Sequence, residues 1–369
     1  METNIIKLLE VDDFKNAYQT AVLPNCRYLK IKAPLATQFE LTSGCNQKCV
    51  FCYNVWKGLC SKQNTVTLSK EKQLKVIDKV IKNEIFDIIF SGGEPLLVDW
   101  LEELIKKCSD AKMCTTIITN AILMTKKRAK SLKKAGLNDL QISIHYYNSK
   151  INDKLTNMPG SFKKTIKGIK NALEFFGVDN VNINMVALPE TYNHIYKMGK
   201  FLHSIGAGSF SVGTPSVTGE LKDKKDLVIN KTMFLSIYKQ LRTVKKDFGI
   251  HVGFTGGFPI CLLPEINAET VGMIGNYCDA GLNQVIIGPD GELRPCVCLE
   301  KNLGNILEDD LQNIWNNNKF LLDIRKMKFV PDRCKKCEYV SLCRGGCRAS
   351  AQGYYGKINA IDPLMGGIK

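Results

Sequence analysis

Ser43-Gly44-Cys45-Asn46-Gln47-Lys48-Cys49-Val50-Phe51-Cys52-Tyr53 follows directly on a short apolar run, Gln38 to Thr42, and decides how the rest of the chain is read. Three thiolates in one short loop can converge on one centre. A closed structural zinc site takes four ligands, so three fit better a four-iron cluster that leaves one iron open. A zinc loop borrowing a distant fourth ligand is the alternative at this point. The next apolar run, Phe86 to Phe90, ends in Ser91-Gly92-Gly93-Glu94-Pro95. Paired glycines let backbone approach a ligand closely, and the Glu94 carboxylate suits an ammonium group.

Working outward, short runs rich in Ile, Val and Phe recur at Thr115 to Thr119, Leu140 to Ile144, Val181 to Val186 and Phe210 to Val212. Their length and composition predict buried parallel strands. Helical patterns lie between them, near Ser69 to Ile81, Trp100 to Lys107, Lys126 to Ala135, Phe162 to Phe175 and Tyr192 to Ile205. Strand and helix alternating about six times predict an α/β fold, a parallel sheet or partial barrel. Polar and glycine residues cluster just after the strands, the face on which β/α barrels carry their sites.

The chain has 369 residues, and at about 150 residues per domain that corresponds to two or three structural units. Hydrophobic residues at 44% and charged residues at 24% are ordinary globular usage, which excludes a disordered or collagen-like chain. No window approaches the roughly 18 to 20 apolar residues of a membrane span. Acidic residues near the N-terminus stand where an export signal needs its apolar core. A cytosolic location without membrane association is therefore expected. Cytosolic thiols stay reduced, so the 15 cysteines point to metal or redox chemistry before disulfides. The net charge of +15 is spread along the chain as lysine and reads as a solvated surface. No nucleic-acid motif accompanies it, so a nucleic-acid partner is not expected.

Near residue 250 the character changes. Turns such as Gly256-Gly257-Phe258-Pro259 and Gly288-Pro289-Asp290-Gly291 appear, and cysteines become dense. The expected organisation is an N-terminal extension over 1–33, a barrel over 34–250, and a smaller metal-stapled domain over 251–369. In that last region Cys278 and Cys296 precede Cys334, Cys337, Cys343 and Cys347, whose intervals of three, six and four positions do not match paired zinc knuckles.

The three-cysteine loop followed by the Gly92 to Pro95 segment resembles the radical S-adenosylmethionine (SAM) superfamily. The C-terminal cysteines, with Gly304 to Ile306, Ile314-Trp315, Gly345 to Ala349 and Asp362-Pro363, resemble the SPASM extension of those enzymes. The resemblance implies a partial (β/α)6 barrel. Cys45, Cys49 and Cys52 would hold the catalytic [4Fe-4S] cluster, whose open iron chelates the methionyl moiety of SAM. Gly92, Gly93 and Glu94 would receive the methionyl amine, the backbone around Phe51 would contact adenine, and Asn120 and Ser143 would add polar contacts. Two auxiliary clusters are implied, one on Cys278, Cys296 and Cys347, the other on Cys334, Cys337 and Cys343. For the first, Cys261 and Cys298 compete as fourth ligand, or the iron stays open. For the second, the family places a Cys where this chain has Met365, which leaves Asp362, an open site or a lost cluster. His145 stands where relatives often carry Asp and reads as structural. Tyr53 and Trp56 either line the substrate cavity or pack. Cys26, Cys60, Cys108 and Cys114 read as small buried hydrophobes.

The implied activity is generation of a 5′-deoxyadenosyl radical that removes hydrogen from a substrate carbon, with an external one-electron donor as partner. SPASM members mostly modify peptides or proteins. Sulfatase-maturating members carry Asp directly after the cysteine of the GX4C segment, whereas Val297 follows Cys296 here. A ribosomal-peptide maturase is therefore the expectation. A segment of 33 residues is short for a fused leader-binding domain, which leaves leader recognition to the barrel or a separate protein. The other readings are a sulfatase-maturating enzyme, a tetrapyrrole-modifying enzyme, an RNA-modifying enzyme and a non-enzymatic metal protein.

Overall fold

The computed structural model describes residues 31–57, 65–267, 270, 273 and 278–366. Its centre is β1, Ala36–Glu40, from which β2 (Asp87–Ser91), β3 (Cys114–Thr119), β4 (Asp139–Ser143), β5 (Val181–Val186) and β6 (Ser209–Gly213) follow in parallel order. Each lies within a few residues of the expected run. Strands alternate their side chains between two faces. On the outer face Phe39, Ile88, Phe90, Ile117, Leu140, Ile183 and Phe210 are fully or almost fully buried. The helices cover that face. They are α1 (Lys70–Lys82), α2 (Leu101–Asp110), α3 (Lys126–Ala135), α4 (Ser149–Thr156), α5 (Ser161–Phe176), α6 (Ile195–Ser204) and α7 (Lys231–Phe248).

Helix boundaries follow local chemistry. Ser69 and Thr125 accept hydrogen bonds from backbone N–H groups in the first turns of α1 and α3, and Asn230 does the same for α7. Such caps satisfy donors that a helix start leaves unpaired. The expected helix over Tyr192 to Ile205 is a 3-10 turn, Tyr192–His194, leading into α6. α4 was not expected from the sequence, because its single turn-and-a-half of apolar spacing is weak.

The sheet also extends beyond the expected six strands. α7 buries Phe234, Ile237, Tyr238, Leu241 and Val244 along one stripe, and a seventh parallel strand, β7 (His251–Thr255), pairs with β6. On the opposite edge β8 (Gln284–Ile287) runs parallel to β1, and β9 (Glu292–Arg294) returns antiparallel to it, with β10 (Gly304–Asn305) outside. One ten-stranded sheet, ordered β10-β9-β8-β1-β2-β3-β4-β5-β6-β7, therefore runs across the boundary expected near residue 250. Beyond it, α8 (Leu311–Asn317) carries the fully buried Trp315, whose indole N–H donates to the Ile31 carbonyl at 3.1 Å. Among the described residues no helix is long and apolar enough to cross a membrane.

Candidate active site

The loop after β1 is suspended by backbone hydrogen bonds from distant segments. Lys48 and Val50 N–H donate to the Thr156 and Leu155 carbonyls at the end of α4, and Glu220 N–H donates to the Cys52 carbonyl at 2.9 Å. Gly219, at φ +56°, brings its backbone so close that an added Cβ would stand 2.4 Å from that Cys52 oxygen. Phe51 packs with Leu155, Leu188 and Leu221 and meets the His145 ring edge-on at 4.5 Å between centroids. The loop thus has an apolar underside, while the half-buried side chains of Cys45, Cys49 and Cys52 stand just past the carboxyl end of β1. Among the described residues no three His, Cys, Asp or Glu side chains stand close enough to share one metal ion. Thiolates that each bind a different iron of a cluster do not need that closeness.

The β2 loop presses directly against this one. Gly93 N–H donates to the Thr42 carbonyl at 2.6 Å and Glu94 N–H to the Gly44 carbonyl at 2.9 Å. A Cβ on Gly93 would lie 1.9 Å from the Gly44 oxygen, and one on Gly92, at φ +124°, 2.4 Å from the Thr42 oxygen. Only glycine permits that approach. The Glu94 carboxylate is buried and engaged. It accepts from Leu96 N–H at 3.1 Å, the Thr119 hydroxyl at 2.5 Å and Asn120 N–H at 2.8 Å. Burial raises its pKa to about 7, against the lowering effect of those bonds. Asn120 in turn donates its amide to Asn46 Oδ1 at 2.6 Å, tying the end of β3 to the cysteine loop. Glu94 and Asn120 therefore brace three loops into one mouth, and Ser143 sits at the end of β4 beside them.

The inner face of the sheet shows what sequence reading missed. The strand register puts Gln38, Ser91, Gln141, Ser143, Asn182, Asn184, Ser209, Ser211 and Thr255 on it. They form a hydrogen-bonded neutral wall, including Gln38 to Ser91 at 2.6 Å and Asn184 to Thr255 at 2.9 Å. Its one ion pair joins Glu40 on β1 to Arg294 on β9, both almost fully buried. The Trp56 indole donates to the same carboxylate at 2.8 Å, and the Arg294 guanidinium lies 5.3 Å from the Trp56 ring centre. Desolvation raises the pKa of Glu40, with Arg294 opposing it. The Tyr53 phenol is also raised, by burial first and then by Glu40, Cys52 and Cys298. Tyr53 thus lies between the three-cysteine loop and the C-terminal cysteines. A charge pair linking residues 254 positions apart leaves no trace in local periodicity.

The C-terminal thiols fall in two neighbourhoods. Cys278, Cys296 and Cys347 line one cavity of about 50 Å³, together with Leu282, Ile324 and Phe329. Cys298 N–H donates to Cys296 Sγ at 3.4 Å. Elsewhere, Ile260 N–H donates to Cys343 Sγ at 3.4 Å. Between Cys343 and Cys347 the chain turns through three left-handed residues, Arg344, Gly345 and Gly346, at φ of 51°, 82° and 84°.

The radical SAM superfamily model matches residues 39–202, and an iron–sulfur cluster-binding domain model, SPASM, matches residues 278–338. The chain belongs to the radical SAM superfamily. It is a radical SAM enzyme with a SPASM domain, and its cofactors are iron–sulfur clusters and S-adenosylmethionine. The chain is 26% identical to the AdoMet-dependent heme synthase of Methanosarcina barkeri, over 90% of this chain and 96% of the relative. It is 24% identical to the PqqA peptide cyclase of Rhizobium meliloti, over 91% and 88%. The mycofactocin maturase MftC of Mycolicibacterium smegmatis is 26% identical, over 87% and 79%. In fold it resembles Streptococcus suis SuiB bound to precursor peptide SuiA, with TM-score 0.72, 21% identity and coverage of 94% and 79%. The crystal structure of anSMEcpe with bound AdoMet gives TM-score 0.70 at 21% identity, covering 90% and 94%.

The residues of the radical SAM enzyme fit these cofactors. Three half-buried thiols within one loop suit a cluster, and the Gly92-Gly93 backbone packs directly on the backbone of that loop. His145 is structural in its contacts: its Nδ1 accepts from Val186 N–H at 3.3 Å, and burial lowers its pKa to about 3. Met365 is part of the apolar core. Both Asp362 oxygens accept backbone N–H groups, from Cys347 at 2.7 Å and Leu364 at 2.9 Å, and burial raises its pKa to about 6. Cys108 is buried as expected, with its thiol pushed up to about 12 by desolvation. Cys114 is exposed, contrary to the buried reading, because it is the first residue of β3 at the open amino end of the sheet. Cys26 and Cys60 lie outside the described residues.

Proposed function

We propose that the enzyme is a ribosomal-peptide maturase that forms a cross-link, or a similar oxidative modification, in a peptide held between barrel and SPASM domain. When bound, the cofactors supply reductive cleavage of SAM to a 5′-deoxyadenosyl radical, which removes hydrogen from an unactivated carbon. The protein's part is to hold the target carbon close and exclude water. Cys45, Cys49 and Cys52 would hold the catalytic cluster. Gly92, Gly93 and Glu94 would shape the methionyl site, and Phe51 the adenine side.

The observation that carries the peptide reading is the neutral inner wall. Apart from Arg294, paired with Glu40, and His251 at the amino end, the described strands carry no cation. A tetrapyrrole with several carboxylates calls for arginine or lysine partners, whereas amide and hydroxyl side chains match the donors and acceptors of a peptide backbone. Val297 after Cys296 argues against sulfatase maturation, as it lacks a side chain able to act as base. The likeness to heme synthase favours a tetrapyrrole as the second reading.

Anaerobic reconstituted enzyme incubated with candidate precursor peptides, a sulfatase-derived peptide and an iron porphyrin tests this. Peptide-dependent 5′-deoxyadenosine and loss of two hydrogens from the peptide mass are expected. Turnover of the porphyrin, or formylglycine from the sulfatase peptide, without turnover of any precursor peptide would sink the proposal.

A further inference from the structure

The segment leaving β7 threads between the two thiol neighbourhoods. Gly256, at φ +87°, turns the chain. At Gly257 an added Cβ would meet Cys278 Cβ at 3.4 Å and Cys347 Cα at 3.9 Å, so here the segment borders the first neighbourhood. Pro259 then packs at the point where a Cβ on Gly346 would fall, 2.9 Å from the ring. Ile260 N–H donates to Cys343 Sγ at 3.4 Å and opens a 3-10 turn, Ile260–Leu262. That turn places Cys261 one residue beyond the contact with Cys343. Its thiol lies within electrostatic reach of Cys343, Cys337 and Cys334.

Cys298 has the complementary surroundings. Its backbone N–H meets Cys296 Sγ. Its thiol contacts the Cys296 side chain and the Ser216 and Thr218 hydroxyls. Cys347 in turn feels Cys298 and Cys278. Asp362 accepts the Cys347 N–H with one oxygen, while its other oxygen caps the Leu364 N–H of its own turn.

We propose that the SPASM domain holds two complete four-cysteine sites, Cys278, Cys296, Cys298 and Cys347 at one and Cys261, Cys334, Cys337 and Cys343 at the other. Cys261 replaces the ligand missing at Met365, and Asp362 is a positioning residue for Cys347. This rests on the auxiliary-cluster reading of the domain. It has a functional consequence: both clusters are closed by protein thiolates, which suits electron transfer and leaves no iron open to ligate a substrate atom.

The test uses the full chain with Cys45, Cys49 and Cys52 replaced by Ala, so that only auxiliary clusters contribute. It is reconstituted anaerobically and read by iron per chain and by electron paramagnetic resonance of the reduced protein. About eight iron atoms per chain are expected for two four-iron clusters. Cys334→Ala with Cys337→Ala should leave about four, and adding Cys261→Ala should change neither iron nor the remaining signal. Added instead to Cys278→Ala with Cys347→Ala, the same substitution should remove or alter the one signal left. Cys298→Ala should show the opposite pattern. Cys261→Ser keeps the side chain's size and should shift the signal of the second cluster alone, which separates loss of a ligand from loss of folding. The assignment fails if Cys261→Ala and Cys261→Ser both leave iron and spectrum unchanged, or if Cys261→Ala acts only where the second site is already removed. A triple-alanine chain that takes up no iron overturns the underlying cluster reading itself.

Discussion

Replacing Arg294 by Met should destabilise the enzyme through a carboxylate 254 positions away in the sequence, Glu40 on β1. Both groups are 1% exposed, and among the described residues the side-chain donors to Glu40 are Arg294 and the Trp56 indole. Removing one partner of a buried pair costs about 3–5 kcal/mol, because the other charge stays buried and uncompensated. Unfolding entropy of about 2.1 cal/mol/K per residue, over 369 residues, is roughly 0.8 kcal/mol/K. The expected loss in Tm is therefore about 4–6 °C. Glu40→Gln combined with Arg294→Met should recover at least half of it, since a neutral amide still accepts from Trp56. The pH dependence has a definite sign. Glu40 already has a raised pKa in the folded state, so the folded chain binds a proton more readily than the unfolded one. Without Arg294 the pKa rises further, and stability falls as pH rises from the unfolded carboxylate value through the folded one. The deficit of Arg294→Met should thus be larger at pH 8 than at pH 5. Anaerobic thermal scans at one heating rate, followed by tryptophan fluorescence, measure it. A shift below about 1 °C, or a double variant no better than the single one, would refute the reasoning.

Gly93→Ala should weaken SAM binding at least tenfold, about 1.4 kcal/mol, because the new Cβ falls 1.9 Å from the Gly44 oxygen; equilibrium dialysis with reconstituted enzyme checks it. Alanine at Cys45, Cys49 and Cys52 together should abolish 5′-deoxyadenosine formation while iron remains on the SPASM domain, and residual SAM cleavage would reject that ligand set. His145, lowered to about 3, should stay neutral across the working range. Its folded pKa lies below the unfolded one, so its contribution to stability is present above about 6.5 and is lost as pH falls towards 3. An imidazole resonance that titrates near 6.5 in the folded enzyme would contradict this.

The barrel was legible because its information is local. β1 to β6 are short runs that each bury apolar side chains on one face, with helical spacing between them, and the cysteine loop and the Gly92-Gly93 pair follow strands directly. β7 was hidden because His251-Val-Gly-Phe-Thr is short, buries only Phe254 and carries a glycine at its centre, which weakens a strand signal. β8 and β9 were hidden for another reason: a turn-rich hairpin does not announce that its partner is β1, almost 250 positions earlier. The same limit applies to the candidate site. Motif spacing named Cys334, Cys337 and Cys343 and set Cys261 against Cys298 at the other site, but which set of thiols Cys261 stands beside depends on how the β7 exit is threaded. Glu94 was read as a ligand group, yet two of its three internal donors, the Thr119 hydroxyl and Asn120 N–H, come from the end of β3, which only the fold brings to it.

The placement of β1 between β2 and β8 bears on the order in which the enzyme can be made. The strand that carries the catalytic loop leaves the ribosome early, but one of its two neighbours is encoded after residue 283. Until that segment emerges, the Thr37 hydroxyl lacks its Val285 acceptor and Glu40 lacks Arg294. Domains generally fold as units during synthesis, yet here the barrel cannot close its first strand on both sides before most of the chain has been translated. During that interval Cys45, Cys49 and Cys52, the ligands proposed for the catalytic cluster, stand in a loop whose strand is paired on one side only. Loading of the catalytic cluster then has a natural window before the last strand locks the wall behind it.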